Sequence, residues 1–96
     1  MLRCVVQDAD RLARMFKALS VDTRVKIVQL LNGRALCVNS LAARLDITPA
    51  AVSQHLRILR DINLLKSDKR GNYVHYTIDQ DTLELWHKAT AELLKS

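Results

Sequence analysis

Residues 39–61 read NSLAARLDITPAAVSQHLRILRD, two amphipathic stretches with only a tight DIT turn between them. No other feature narrows the fold as much, because two short helices joined by so short a turn form a helix-turn-helix. Asn39 or Ser40 can cap the first, which carries Leu41, Ala42 and Leu45. Thr48 suits the N-cap of the second, and Pro49 suits its first position, where a missing N–H costs nothing. Val52, Leu56 and Leu59 then follow at i, i+4 and i+7, the stripe of a helix with one buried face.

The period changes after Leu64. Residues flanking KRGN alternate: Val74, Tyr76 and Ile78 point one way, Tyr73, His75 and Thr77 the other, and Gly71 is free to take a positive φ. This predicts a β-hairpin over about 65–78. Upstream, Leu12, Met15, Phe16 and Leu19 make an amphipathic helix over about 7–19. A second helix starts at Asp22 as N-cap and stops at Gly33, apolar over more than half its circumference. A last helix, over about 80–95, is capped by Asp79 or Asp81 and carries Leu83, Trp86, Thr90, Leu93 and Leu94 along one side. The expectation is one domain over 1–96, mainly α with a small β-hairpin. It is a winged helix-turn-helix of about five helices and a two-stranded wing, with the helix-turn-helix over about 39–61.

Two glycines and one proline in 96 residues agree with long regular elements. A chain this short buries a modest core, so a lone monomer would be marginal and oligomerisation supplies the missing burial. No apolar run approaches the ~18 residues of a membrane span. The start, MLRCVVQDAD, turns acidic too soon for a secretory signal. The expected location is the cytoplasm, with reduced cysteines. Two cysteines cannot supply a four-thiolate zinc site from one subunit.

A net charge of +5 and a pI near 9.6 raise the prior for a nucleic-acid partner. At ~100° per residue, Val52, Leu56 and Leu59 set the buried direction of their helix. The opposite arc holds Ala50, Gln54 and Arg57, with Ser53 and Ala51 at its edges and His55 beside the buried stripe. Such a face suits the DNA major groove: alanine permits close approach, Gln54 can pair with an adenine edge, and Arg57 reaches guanine or phosphate. Free N–H groups after Thr48 favour a phosphate. Lys69, Arg70 and Asn72 at the hairpin tip can sit over the neighbouring minor groove or backbone. Arg44, Arg57, Arg60, Lys66, Lys69 and Arg70 outnumber Asp46, Asp61 and Asp68 across this half of the chain. Such charges set affinity and its salt dependence more than sequence choice.

The stretches LARMFKALSVDTRVKIVQLL, RALCVNSLAARLDITPAAVSQHLRILRDINLL and KRGNYVHYTID, in that order, resemble the ArsR/SmtB family of bacterial winged-helix repressors. The resemblance covers nearly the whole chain. It implies a homodimer built from the first and last helices. It also implies a repressor of double-stranded DNA at a palindromic operator, released by an inducer. The family's recognition residues fall on Thr48, Ala50, Ser53, Gln54 and His55. A twofold dimer should hold its recognition helices about 34 Å apart, one DNA turn.

Many relatives sense thiophilic metals through Cys-Val-Cys. Here the run is Leu36-Cys37-Val38-Asn39, so the second thiol is replaced by a poor soft-metal ligand. Other members pair this cysteine with a thiol in the partner's N-terminal arm, where Cys4 lies. Cys4 and Cys37 give two thiolates and no evident third ligand. The family's other metal site, on the last helix, maps to Gln80, Thr82, Leu93 and Ser96, none a good ligand. Glu84 and His87 sit one turn apart nearby and are more simply surface residues. Three readings of Cys37 therefore stay open: a small buried hydrophobe, a metal or metalloid ligand with Cys4, and a redox thiol. No cofactor is expected apart from that thiolate-bound metal or metalloid.

Two further classes compete. A winged helix can serve as a protein-interaction module, which would more often expose apolar residues over 50–57. An enzyme is not expected, because no histidine neighbours Cys37 in sequence and nothing suggests a substrate pocket.

Overall fold

The computed structural model describes residues 2–95, with side chains from residue 9 to residue 95. Five helices and three strands follow in the order α1 (Leu2–Ala18), α2 (Asp22–Leu30), β1 (Leu36–Cys37), α3 (Val38–Leu45), α4 (Pro49–Asp61), β2 (Leu65–Arg70), β3 (Tyr73–Ile78) and α5 (Gln80–Leu94). The expected winged helix-turn-helix is present, with one addition. The wing is not only two-stranded: β1 pairs with β3 to complete an antiparallel sheet of order β1-β3-β2. A strand of two residues is too short for an alternating pattern to betray it.

One helix cap and one helix start differ from expectation. Asp22 is the first residue of α2 rather than its cap; Val21 caps it with extended backbone and no side-chain bond. The Asp22 carboxylate still complements the helix dipole and lies 3.8 Å from Lys26 one turn on. Neither Asn39 nor Ser40 caps α3. The helix begins at Val38 and Cys37 occupies the cap, held extended because it belongs to β1. The other caps form as the residue types predict. The N–H of Ala51 donates to Thr48 Oγ1 at 3.1 Å, and the N–H of Thr82 donates to Asp79 Oδ1 at 3.1 Å.

Asp46 explains how the DIT turn can be so tight. It takes φ +57 at the end of α3, and its N–H bonds the Ala42 carbonyl. Aspartate and asparagine tolerate this left-handed region better than other non-glycine residues. Asn63, at φ +64, turns the chain from α4 into β2 in the same way. In the wing loop Gly71 takes φ +62, the first central position where a type II′ hairpin turn demands glycine.

The core sits beneath the helix-turn-helix. Ile27, Leu31, Leu41, Val52, Leu56, Leu59 and Leu64 are almost fully buried, with Leu65 and Ile78 joining from the sheet. Each such side chain contributes about 1.5–3 kcal/mol relative to exposure. This packing fixes the rotation of α4 and therefore which of its residues face out. Among the described residues no helix is long and apolar enough to cross a membrane.

Candidate nucleic-acid interface

With Val52, Leu56 and Leu59 turned inward, α4 exposes Ala50, Ser53, Gln54 and Arg57. Thr48 precedes them at the helix start; its oxygen is taken by the cap bond, which leaves the hydroxyl proton free to donate. At the wing tip Lys69, Arg70 and Asn72 are all exposed. The Arg70 guanidinium lies 3.2 Å from Asp68 Oδ2 in an exposed pair. Surface pairs of this kind are weak enough to be exchanged for a phosphate.

His55 stands apart from the other predicted contacts. It is half-buried, and its Nδ1 accepts a hydrogen bond from Arg24 Nε at 3.1 Å. Since arginine can only donate, the ring is neutral with its proton on Nε2, the atom left to meet a phosphate oxygen. Burial, and then the Arg24 guanidinium, push the His55 pKa below its ordinary value, while Asp22 pulls the other way. The same Arg24 donates from Nη1 to the Ala18 carbonyl at 3.2 Å, so one side chain ties the end of α1 to α4. Sequence reasoning missed this link, because a buried stripe reports which face is covered and not by whom.

The other flank of α4 is open. An approximately 470 Å3 cleft separates it from β3, lined by Ser53, Leu56, Arg57, Arg60, Asp61 and Tyr76.

Cys37 is half-buried and reduced, directly opposite His75 in the β1–β3 register. The absence of a nearby histidine in sequence was therefore misleading. His75 Nδ1 is buried and finds no hydrogen-bond partner among the described residues. Cys4 lies outside the residues whose side chains are described, so its relation to Cys37 is not placed. Ser96 is outside them as well. Glu84 and His87 are both exposed and line a groove of about 570 Å3 between α1 and α5, along with Met15, Phe16, Leu19 and Trp86. Among the described residues no three His, Cys, Asp or Glu side chains gather closely enough to hold a metal ion.

Comparison with known proteins places this geometry. Residues 22–67 match the bacterial regulatory protein, arsR family. The chain is 41% identical over 70 residues to a cadmium resistance transcriptional regulatory protein CadC homolog of Staphylococcus aureus, covering 72% of this chain and 58% of that protein. It therefore spans less than two thirds of that relative's length. It is 33% identical over 92 residues to a transcriptional repressor SmtB homolog of Synechocystis, covering 95% of this chain and 70% of that one. Among solved structures it is similar to an ArsR-like transcriptional regulator from Rhodococcus, with a TM-score of 0.78 and 31% identity over 90% of this chain and 80% of the other.

Proposed function

The chain belongs to the arsR family of bacterial regulatory proteins, and from that premise we propose that it is a dimeric DNA-binding repressor acting at a palindromic operator in the cytoplasm. One observation carries the reading. A polar, small-residue face on α4 is held outward by three buried anchors and flanked by a basic wing tip. In this assignment Ala50 permits close approach, and Ser53 and Gln54 read base edges. Arg57 reaches base or backbone, while Thr48, His55, Lys69, Arg70 and Asn72 meet backbone or minor groove. The family is one of transcription regulators rather than enzymes, and we assign the chain no reaction of its own.

The dimer is assigned to α1 and α5, whose outer surfaces carry Phe16, Leu85, Leu93 and Leu94 exposed. The operator assignment is tested by gel shift of the chain on its own upstream DNA and on random duplex at two salt concentrations. Preference for the upstream DNA, weakening with salt, is expected. Equal binding to random DNA, or binding indifferent to salt, removes the repressor reading.

Signal reception is assigned to the Cys37 region. The thiol sits where β1 hands over to α3, the helix that supports α4, so a ligand or oxidation there can shift the reading head. Relatives bear names of cadmium and arsenical resistance, which supports a thiophilic signal; Asn39 in place of a second thiol weighs against their ligand set. The deciding experiment is operator release by arsenite, cadmium, zinc, persulfide or peroxide in wild type and Cys37→Ser. Release lost with the thiol supports sensing, with Cys4→Ser reporting whether the second cysteine takes part. Release unchanged in Cys37→Ser makes Cys37 a packing residue.

A further inference from the structure

Around α4, at ~100° per residue, Arg60, Ser53 and Arg57 fall within one narrow arc between the buried stripe and the outward face. That flank turns toward the wing, and the three residues line the cleft opposite Tyr76 of β3. Ser53 stands at the border of the base-reading face, and the two arginines can reach past it to something beside that face.

We propose that this cleft seats a phosphodiester of the DNA backbone, held by the Arg57 and Arg60 guanidiniums with the Tyr76 hydroxyl as a further donor. The proposal rests on the DNA-binding reading above and adds Arg60 and Tyr76 to it. Three points carry it. Both arginines are exposed, and among the described residues neither guanidinium has an ion-pair partner. Two planar forks spaced i, i+3 can grip the oxygens of one phosphate, which a single point charge cannot. Leu56, almost fully buried, and half-buried Tyr76 wall one side, so the anion is partly shielded from solvent there. Asp61, the last residue of α4, also lines the cleft, and the two guanidiniums must outweigh the repulsion of its carboxylate.

The ligand chemistry is a phosphate group, and it has two sources, the DNA backbone or a small phosphate such as inorganic phosphate. The experiment separates them. Wild type, Arg60→Gln and Tyr76→Phe are titrated with operator and random duplex over a salt series, and circular dichroism confirms that the variants fold. Arg60→Gln should lower affinity by the same factor on both duplexes and reduce the slope of log K against log salt by about 0.9 per subunit. Neutral methylphosphonates are then placed one position at a time along the operator backbone. One position per half-site should weaken wild type more than Arg60→Gln, in which Arg57 alone still faces that phosphate, with a response from Tyr76→Phe between the two.

A salt slope and methylphosphonate profile in Arg60→Gln identical to wild type overturns the proposal. So does saturable binding of inorganic phosphate to the DNA-free protein, lost in Arg60→Gln, with no methylphosphonate effect; the cleft then belongs to a small anion. If wild type shows no preference for operator over random duplex, the repressor reading fails while the phosphate seat is still tested by the random-duplex salt slope.

Discussion

The two halves of this molecule are finished to different degrees. Beneath the helix-turn-helix, α2, α3, α4 and the sheet bury Ile27, Leu31, Leu41, Val52, Leu56, Leu59 and Leu64 almost completely. Along α1 and α5, only Met15 and Ala18 of the described residues are buried. No residue of the 15-residue α5 is fully buried, and Leu85 is 64% exposed, Leu94 74% and Phe16 44%. A helix–turn–helix head with its own core can position side chains as a monomer. A helical layer with an apolar outer surface and an open groove is the half to which we assign the second copy. Arg24 joins the halves, bonding the Ala18 carbonyl on one side and His55 on the other.

The largest effect is expected where that contrast is sharpest. Leu85→Asp with Leu93→Asp puts carboxylates on the exposed apolar surface and removes little from the monomer's own core. Sedimentation should show monomers, and operator affinity should fall by ~10²–10⁴-fold as the two heads lose their linkage. Thermal stability should fall as well, because the folded state loses the stabilisation linked to subunit binding. A double variant that stays dimeric and bound moves the interface away from α5.

The opposite half is probed by Leu59→Ala. Its side chain is wholly buried on the inner stripe of α4, so truncation should cost about 2–5 kcal/mol in urea unfolding. Unlike the α5 substitutions, it should leave the subunit contacts of the folded protein intact. A loss below ~1 kcal/mol would mean that the core under α4 collapses to fill the gap, and the rotation of its outer face would be less firmly held than the packing implies.

These two tests also separate what was legible in the sequence from what was not. The 3.6-residue stripe on α4, the cap at Thr48 and the alternation in the wing are local, and each states its own buried face. The pairing of Cys37 with His75 and the bond from Arg24 to His55 join residues far apart in sequence. Periodicity holds no record of which surfaces meet, so His75 as neighbour of the thiol and Arg24 as a link were invisible before the fold. The cap of α2 was placed one residue late, at Asp22, and the start of α3 too late, at Asn39 or Ser40, for a related reason. Good capping residues lay close by, but for α3 tertiary pairing of Leu36–Cys37 decided where the helix began.

A finer probe of the head is Gln54→Ala. The side chain is exposed and removed from the core, so folding should be unaffected while operator preference relaxes by ~1–3 kcal/mol per subunit. Competition between operator and random duplex measures it. An equal loss on both duplexes would move Gln54 from base reading to backbone contact and leave specificity with Ser53 or with DNA shape.

The smallest effect tests the joint between the halves. His55 Nδ1 can accept from Arg24 only while the ring is neutral, and burial and the guanidinium hold its pKa below the ordinary 6.5, against the pull of Asp22. As pH falls below that ordinary value the unfolded chain takes up the proton first. The stability contributed by the neutral ring is therefore complete above the unfolded pKa and is lost as pH falls through the lower folded one. Between about pH 7.5 and 5.5 the urea midpoint of wild type should drop more than that of His55→Gln, whose amide oxygen can accept from Arg24 without titrating. The other histidines, His75 and His87, are common to both proteins, so the difference between the two profiles isolates His55. Equal profiles would show that the Arg24 bond contributes nothing measurable. The coupling between α1 and the reading helix would then run through the packing of α2 alone.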